Sequence, residues 1–289
     1  MTQAAYRPFG EAAVIDCLRG VTGLPTLPAV VSALGRRFNA PDVSAAEIAD
    51  LLGHDQALTA RVLRLANSAF YAPREPVRSP QQAVVLLGLS TVRAITLKAS
   101  VFTAFPIAEA RPFWLHSLGT ACAARAIARL AGLTPADDAF VMGLLHDIGK
   151  LAMAEHVPEA YALVRARVSR DGGLIRDAEI AELGCDHAAV GGFLCSHWSL
   201  PIEFRTAISG HHDLDRADGP HQAWAACLHL ADILARALLV GNGGDHAMPR
   251  LDHRALRILA LGVDDLPVCF SAAEDELANA EVFFGMIHS

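Results

Sequence analysis

Lysine, aromatic side chains and long apolar runs are all scarce in this 289-residue chain. Lys98 and Lys150 are the only lysines among 24 basic residues, and 31 acidic residues give a formal net charge of −7. This balance argues against an extended nucleic-acid surface, which needs clustered Lys and Arg. No stretch reaches the roughly 18–20 apolar residues that cross a bilayer, and the N-terminus lacks a signal-peptide pattern. We therefore expect a cytoplasmic protein that binds neither a membrane nor nucleic acid.

Cysteine is also sparse, and its spacing carries no motif. The six cysteines contain no Cys-x-x-Cys pair, which argues against a zinc ribbon and against a disulfide framework. We interpret them as reduced thiols in a core, for which the 53% of apolar residues supply ample material.

Capping signals divide the chain into many short helices and predict an all-α fold. Ser44 with Glu47 forms a capping box, Ser79-Pro80 places a cap before an N1 proline, and Thr134-Pro135 repeats that device. Strand-like alternation is almost absent. These signals predict helices at 45–52, 55–68 and 80–87, one helix that starts at 90, and one that runs from 135 toward 146. Further helices are predicted around 113–131, 158–170, 175–183, 187–197, 201–210, 221–240, 253–260 and 271–286.

Two short helices within residues 44–70 suggest a helix-turn-helix as one alternative. The charges oppose it, because Glu47, Asp50 and Asp55 outnumber Arg61 and Arg64. We favour a packed helical hairpin here, and a DNA-binding regulator is the weakest of the functional readings.

The chain has thirteen histidines, and some of them recur with aspartate at regular intervals. Successive members of this set lie 30, 40, 24 and 20 residues apart, each about one helical hairpin. Ligands so spaced can converge on a bundle interior, where imidazoles and carboxylates suit Fe, Mn, Zn, Ni or Co, and a carboxylate can bridge two ions. We therefore predict a site for one or two divalent metal ions. The candidate ligands are His116, His146, Asp147, His187, His211, His212 and Asp232.

The His146-Asp147 pair is the strongest part of this pattern, because an apolar run over 140–145 leads directly into it. A buried charge needs compensation, and Lys150 follows on the same helical surface, where it could pair with Asp147 or meet a phosphate oxygen. If the protein is an enzyme, Asp147 and Lys150 are the predicted catalytic residues. His229 precedes Asp232 by three residues and is a candidate supporting group rather than a ligand.

The run His146-Asp-Ile-Gly-Lys150 resembles the signature of the HD superfamily of metal-dependent phosphohydrolases. A wider set of segments resembles the HDOD family of bacterial signalling proteins over roughly residues 20–285. These segments are Leu24–Pro28, Asn67–Tyr71, Ser79–Gly88, Asp186–Gly191, Trp198–Pro201 and His211–Asp213.

This resemblance implies a multi-helix HDOD fold with an HD-like core and a regulatory role through signalling partners. It implies an N-terminal extension at 1–19 and an HDOD domain at 20–289, divided into an N-terminal helical part (20–110), the HD-like core (111–240) and C-terminal helices (241–289). Many HDOD members have degraded HD ligands and are thought to lack catalysis, whereas every position matching an HD ligand keeps its residue type here.

The chain also departs from the related HD-GYP phosphodiesterases. It has no Gly-Tyr-Pro element after His212, and Pro112 stands where members with three metals carry a glutamate. Both differences argue against cyclic-dinucleotide hydrolysis and a third metal. Two readings therefore stay open: a signalling module that binds protein partners and keeps an HD-type metal site, and a metal-dependent phosphohydrolase acting on a nucleotide or other phosphoester.

Overall fold

The structure is a computed structural model that describes two stretches of the chain. The first runs from Asp42 to Thr96 with gaps, covering 42–54, 56–67, 71, 73–89, 91–92 and 96, and the second covers 111–285 except Ser199 and Asp218. All regular structure within these ranges is helical, as predicted. The Leu24–Pro28 segment, Asp55, Ser68–Phe70 and Ser90 lie outside the described residues.

Three short helices form the N-terminal group: α1 (Ala45–Gly53), α2 (Gln56–Ala66) and α3 (Pro80–Leu87). The predicted caps of α1 and α3 are present, since Ser44 accepts from the backbone N–H of Glu47 and Ser79 accepts from that of Gln82. Asn67 ties α2 to the segment before α3 by bonding both backbone groups of Val77. The helices share a small apolar core of their own, which includes Ile48, Leu52, Val62, Leu65 and Val84. This packing fits a helical hairpin.

Ten further helices make up the second stretch. They are α4 (Arg111–Leu130), α5 (Ala136–Leu145), α6 (Ile148–His156), α7 (Pro158–Asp171), α8 (Ile175–Leu183), α9 (His187–His197), α10 (Ile202–Gly210), α11 (Gln222–Ala237), α12 (His253–Ile258) and α13 (Leu266–Gly285). Single 3₁₀ turns lie at Leu214–Arg216, Gly219–His221 and Val263–Asp265. No helix in the described part of the chain is both long enough and apolar enough to cross a bilayer.

Helix α4 lies at the centre of this second group, where it packs against α5, α11 and α13. The contact with α5 is close because Gly143 has no side chain: a Cβ atom there would lie 2.5 Å from the Cα of Ala121. Helix α9 packs against both α6 and α10. These three contacts bring the helix ends that carry His146, His187 and His211 toward α4 and α11.

The helix positions predicted from capping and periodicity agree with the structure apart from three details, one of which is that α13 begins at Leu266 and not near residue 271. Pro135 lies one position before the first helical residue of α5, so it is not the first residue of that helix. A separate helix α6 was not predicted, because the sequence analysis placed Lys150 on the same helical surface as His146 and Asp147, whereas the structure has a junction between two helices there. All five described cysteines are buried, and none forms a disulfide with another described residue, as expected for reduced core thiols.

Candidate metal centre

The seven predicted ligands come from five parts of the second stretch and meet in one place. His116 lies in α4, and His146 and Asp147 form the junction of α5 and α6. His187 begins α9, His211 and His212 follow the end of α10, and Asp232 lies in α11. Six of these side chains are buried, whereas His212 is partly exposed. The structure therefore brings together every residue of the set that the sequence singled out.

One half of the centre consists of His116, His146, Asp147 and Asp232. The Nε2 atom of His146 lies 3.2 Å from Oδ2 of Asp147, and the Nε2 atom of His116 lies 3.7 Å from the same oxygen. Asp232 closes this half, with its Oδ1 atom 3.1 Å from Nε2 of His116. His116, His146 and Asp147 each point one ligand atom at a common point, with these atoms within 4.8 Å of one another.

The other half consists of His187, His211 and His212, whose ligand nitrogens also lie within 4.8 Å of one another. The Nε2 atoms of His187 and His212 are 2.9 Å apart. Asp147 turns its second oxygen to this half, because its Oδ1 atom lies 3.1 Å from Nε2 of His187. Asp147 thus faces both halves, one oxygen to each, which is the arrangement of a carboxylate that bridges two ions.

Several ligand atoms at this centre are buried without a hydrogen-bond partner among the described residues. They are Nε2 of His116, His146 and His211, and Oδ1 of Asp147. Leaving a buried polar atom unsatisfied costs roughly 1–3 kcal/mol, so several together at one point indicate a group that they are built to bind. Gly243 borders the same space: a Cβ atom there would lie 3.1 Å from Nε2 of His116 and 3.3 Å from Oδ2 of Asp147. The donor set and this cleared space fit a pair of divalent metal ions.

Hydrogen bonds from the opposite side of each ring orient the histidines. The Nδ1–H groups of His146 and His211 donate to the carbonyls of Gly143 and Ile208, each over 2.7 Å. These bonds turn the Nε2 atoms inward, as is usual for metal-binding imidazoles. His229 donates to the carbonyl of His211 and accepts from the backbone N–H of Asp252, so both of its nitrogens are occupied. This places His229 behind His211, in the supporting position that the sequence suggested.

Glu179 is a buried carboxylate that sequence reasoning missed. It lies on α8 and accepts from Nδ1–H of His187 over 2.6 Å and from the His187 backbone N–H over 2.9 Å. Its other oxygen accepts from the hydroxyl of Tyr161 over 3.1 Å. The sequence signal was weak, because only the burial of one face of α8 distinguishes this glutamate from solvent-exposed acids.

The electrostatics of the centre favour neutral imidazoles at three histidines and charged carboxylates at both aspartates. Burial lowers the pKa of His116, His211 and His212 below the usual histidine range. Burial opposes ionisation of Asp147 and Asp232, yet His146 and Lys150 around Asp147, and Arg236 beside Asp232, hold both pKa values well below the usual range. These are the protonation states that metal binding requires.

His187 differs from the other histidines. Burial acts to lower its pKa, but the adjacent Glu179 carboxylate outweighs this effect and raises the pKa to about 9. Metal binding at His187 must therefore displace a proton near neutral pH.

Lys150 contacts the centre as predicted. Its Nζ atom donates to Oδ2 of Asp147 over 2.7 Å and to the carbonyl of Gly243 over the same distance. Gly243 belongs to the loop 241–249, whose three glycines are typical of a flexible segment. Instead, Asp245 fixes this loop by accepting from Arg236 over 2.6 Å and from the backbone N–H of Ile175 over 2.9 Å.

The same loop contacts the start of α4. The backbone N–H of Asn242 donates to the carbonyl of Pro112 over 2.8 Å. Pro112, the residue that the resemblance aligns with a glutamate in proteins with three metals, therefore contributes a backbone contact to the loop.

A second set of ion pairs joins the segments that carry the second-half ligands. Asp186 directly precedes His187 and caps α9. Its carboxylate accepts hydrogen bonds from both terminal nitrogens of Arg216, over 2.7 and 2.9 Å. Arg176 donates to the same carboxylate through Nε over 3.0 Å. Because Arg216 follows the His211-His212 doublet closely, this pair fixes the spacing of the two histidine segments.

A cavity of about 190 Å³ leads from the surface to His212. It is lined by Leu174, Ile175, Arg176, His212, His229, Arg236, Asp245, Pro249 and Arg250. His212 is the only candidate ligand in this lining and also the only one that is partly exposed. The cavity is therefore an open approach to the second half of the centre.

The sequence of this chain matches a model of the HDOD domain over residues 24–214. The chain belongs to the HDOD domain family. Within this HDOD protein the match ends before Asp232, so the contribution of α11 to the centre lies outside the matched segment.

Similar solved structures cover nearly the whole HDOD protein. An HDOD domain protein of unknown function from Geobacter sulfurreducens is 28% identical, with a TM-score of 0.79 over 95% of this chain and 96% of the other. A protein from Shewanella amazonensis that carries the name phosphohydrolase is 26% identical, with a TM-score of 0.73 over 95% and 98%. A protein from Marinobacter aquaeolei named for signal transduction shares the fold at 22% identity and a TM-score of 0.77, covering 96% of this chain and 65% of that one.

One curated relative is also similar to the HDOD protein. An uncharacterized protein of Treponema pallidum (strain Nichols) is 24% identical over 223 residues, which are 75% of this chain and 43% of the relative. The chain thus spans less than half the length of that relative.

Proposed function

We propose that this HDOD protein is a metal-dependent phosphohydrolase that uses two divalent ions. The observation that carries the proposal is the convergence of all seven ligands, four of which have a buried donor atom with no hydrogen bond among the described residues. A bundle that had kept these residues only as a polar core would be expected to pair their buried atoms with one another or with the backbone. The name of the Shewanella amazonensis relative is consistent with this activity.

Each half of the centre would hold one ion. His116, His146, Asp147 and Asp232 would bind the first, and His187, His211 and His212, together with Asp147, would bind the second. The choice among Fe, Mn, Zn, Ni and Co stays a prediction, and nitrogen-rich sites with carboxylates suit all of these metals. When bound, such a pair supplies Lewis acidity and a water of lowered pKa for attack on phosphorus.

The chain's own residues would hold the charges and the geometry for that reaction. Lys150 compensates the Asp147 carboxylate and also holds the loop 241–249 beside it by donating to the carbonyl of Gly243. In the overall reaction a water oxygen bonds to phosphorus and the bond from phosphorus to the ester oxygen breaks. The leaving alcohol takes up one proton, and phosphate is released.

Partner binding is the second candidate function, and family membership is its main support. Helix α3 also exposes apolar side chains, since Val85 is 70% exposed and Leu86 is 38% exposed. We keep the division into 20–110, 111–240 and 241–289 as part of this proposal, because α1–α3 form a separate small core. In this reading the N-terminal part would contact a signalling protein while the metal centre supports the fold.

A turnover assay with a paired variant separates the two functions. Protein prepared without chelator would be assayed with 4-nitrophenyl phosphate and bis(4-nitrophenyl) phosphate, each with added Mn²⁺ or with Fe²⁺ under anaerobic conditions. We expect turnover of at least one compound that chelator abolishes and that Asp147→Ala removes. Arg257→Ala on α12 is the matched control, because this exposed residue lies away from the centre. A folded, metal-loaded protein that turns over neither compound would refute the enzymatic function.

A further inference from the structure

The approach to the metal centre is positively charged, although the chain as a whole is acidic. Three arginines, Arg176, Arg236 and Arg250, line the cavity at His212, against the single carboxylate of Asp245. We propose that this cavity binds the phosphoryl group and part of the alcohol of a small phosphomonoester. The proposal rests on the phosphohydrolase function and narrows its substrate class.

The three arginines are not equivalent. Arg236 is engaged by Asp232 over 3.1 Å and by Asp245 over 2.6 Å, so its charge is compensated from within the protein. Arg176 pairs with Asp186 over 3.0 Å, so its charge is also compensated from within the protein. Arg250 is exposed and forms no ion pair with any other described residue. Arg250 is therefore the cation of this lining that the ion pairs among the described residues leave for an anionic ligand.

The size of the cavity limits the ligand. Its volume of about 190 Å³ is below the roughly 300–1,000 Å³ of pockets that take drug-sized molecules. This space corresponds to about six water molecules, which suffices for a phosphoryl group and a few carbon atoms. The second organic arm of a phosphodiester would have to lie outside it.

The lining also matches the two ends of a monoester. Leu174, Ile175 and Pro249 supply apolar surface for the alcohol, whereas Arg176, Arg250 and His212 supply the polar side. A monoester carries close to two negative charges near pH 7 and a diester carries one, so the positive charge of Arg250 attracts a monoester more strongly. Because His212 belongs both to this lining and to the metal centre, a phosphoryl group held here would lie beside the second half of the centre.

Binding of phenylphosphonate tests the site independently of turnover, because its phosphorus–carbon bond is not hydrolysed. Calorimetric titration would be performed with metal-free and metal-loaded protein, using wild type, Arg250→Ala and the Arg257→Ala control. We expect Arg250→Ala to weaken binding on the order of 10-fold in both metal states, the size of a lost charge-assisted hydrogen bond. The Arg257→Ala protein should bind as the wild type does. Equal affinities of wild type and Arg250→Ala would overturn the proposal.

Turnover then separates failure of this inference from failure of the proposed function. The inference predicts that 4-nitrophenyl phosphate is hydrolysed with a higher kcat/KM than bis(4-nitrophenyl) phosphate, and that Arg250→Ala lowers the former selectively. Faster hydrolysis of the diester, unaffected by Arg250→Ala, would refute the monoester site and leave the phosphohydrolase standing. If neither compound is hydrolysed, the phosphohydrolase is refuted, and Arg250-dependent phenylphosphonate binding would support the anion site alone.

Discussion

Asp147 holds a position at the residue scale that no other ligand shares, because its two oxygens face different halves of the centre. Oδ2 lies 3.2 Å from His146, and Oδ1 lies 3.1 Å from His187. Every other ligand belongs to one half. The consequences of substitution should therefore differ between Asp147 and the remaining ligands.

The first prediction compares two ligand variants. We expect Asp147→Ala to abolish binding of both ions, whereas His116→Ala should lose or weaken one ion and retain the other at His187, His211 and His212. Metal content per chain, measured by mass spectrometry after dialysis, gives the result directly. Circular dichroism of the metal-free proteins checks that both variants are folded. Equal loss in the two variants would contradict a bridging role for Asp147.

A second prediction concerns the space that Gly243 leaves open. Ala at this position would bring a Cβ atom to within 3.0 Å of the His116 ring and 3.3 Å of Oδ2 of Asp147. We expect Gly243→Ala to weaken the first-half ion at least about tenfold, since moved ligands lose coordination geometry. Its backbone does not require glycine, so the melting temperature of the metal-free protein should change little. Metal titration measures the affinity, and a thermal melt measures the melting temperature. Unchanged metal affinity would show that metal binding does not depend on the space that Gly243 leaves open.

The pH dependence of stability offers a third test, through Glu179 and His187. The pKa of His187 is raised to about 9 in the folded protein, against about 6.5 in the unfolded chain. The stabilisation is therefore complete below pH 6.5 and is lost as the pH rises through about 9. Between pH 6.5 and 8.5 metal-free wild type should lose up to about 3 kcal/mol of unfolding free energy, because each pKa unit is worth about 1.4 kcal/mol.

Glu179→Gln supplies the comparison for that measurement. It keeps the shape of the side chain but removes the charge that raises the pKa, so its unfolding free energy should be flatter over the same pH range. Urea denaturation at pH 6.5, 7.5 and 8.5 measures the difference. Parallel curves for the two proteins would contradict the assigned role of Glu179.

At the scale of the elements, close contacts between helices set the geometry of the centre. Gly143 on α5 faces the backbone of α4, and a Cβ atom there would lie 2.5 Å from Cα and 2.7 Å from N of Ala121. The backbone atoms of Ala121 cannot move aside as the end of a flexible side chain can. The distance between the α5–α6 junction and His116 on α4 therefore depends on this glycine.

A fourth prediction follows from this contact. We expect Gly143→Ala to lower the unfolding free energy by about 1–3 kcal/mol, the usual cost of overpacking, and to reduce metal affinity by moving α5 away from α4. Gly53→Ala is the matched control, because no heavy atom lies within 4 Å of a Cβ atom there. Chemical denaturation of both variants measures the difference. A Gly143→Ala protein as stable as the Gly53→Ala protein would contradict the packing account.

The helices themselves could be predicted from local signals, and most of them were. Ser44 with Glu47 and Ser79 with Pro80 are caps whose effect depends only on neighbours in the sequence. Helix α6 was missed because its start, Asp147, makes no side-chain cap bond and instead faces the metal centre and Lys150. At that junction the Asp147 side chain contacts the metal centre and Lys150, so it does not provide the capping signal that marks the start of other helices.

Across the whole molecule, the order of histidines and aspartates predicted which residues would meet, but not what surrounds them. Glu179, Arg236 and Asp245 reach the centre through contacts between distant parts of the chain, and nothing in their local sequence marks them. The loop 241–249 looked flexible from its glycines. It is fixed because Asp245 is buried between Arg236 and the start of α8.

The central claim is that the converging ligands bind two divalent ions, and metal stoichiometry tests it most directly. Wild type, Asp147→Ala and Arg257→Ala would be purified without chelator, incubated with Mn²⁺ or anaerobically with Fe²⁺, and freed of loose metal before elemental analysis. We predict two ions per chain in wild type and Arg257→Ala, and none retained in Asp147→Ala. Wild-type protein that is folded yet retains less than one ion per chain, at the level of Asp147→Ala, would contradict the account.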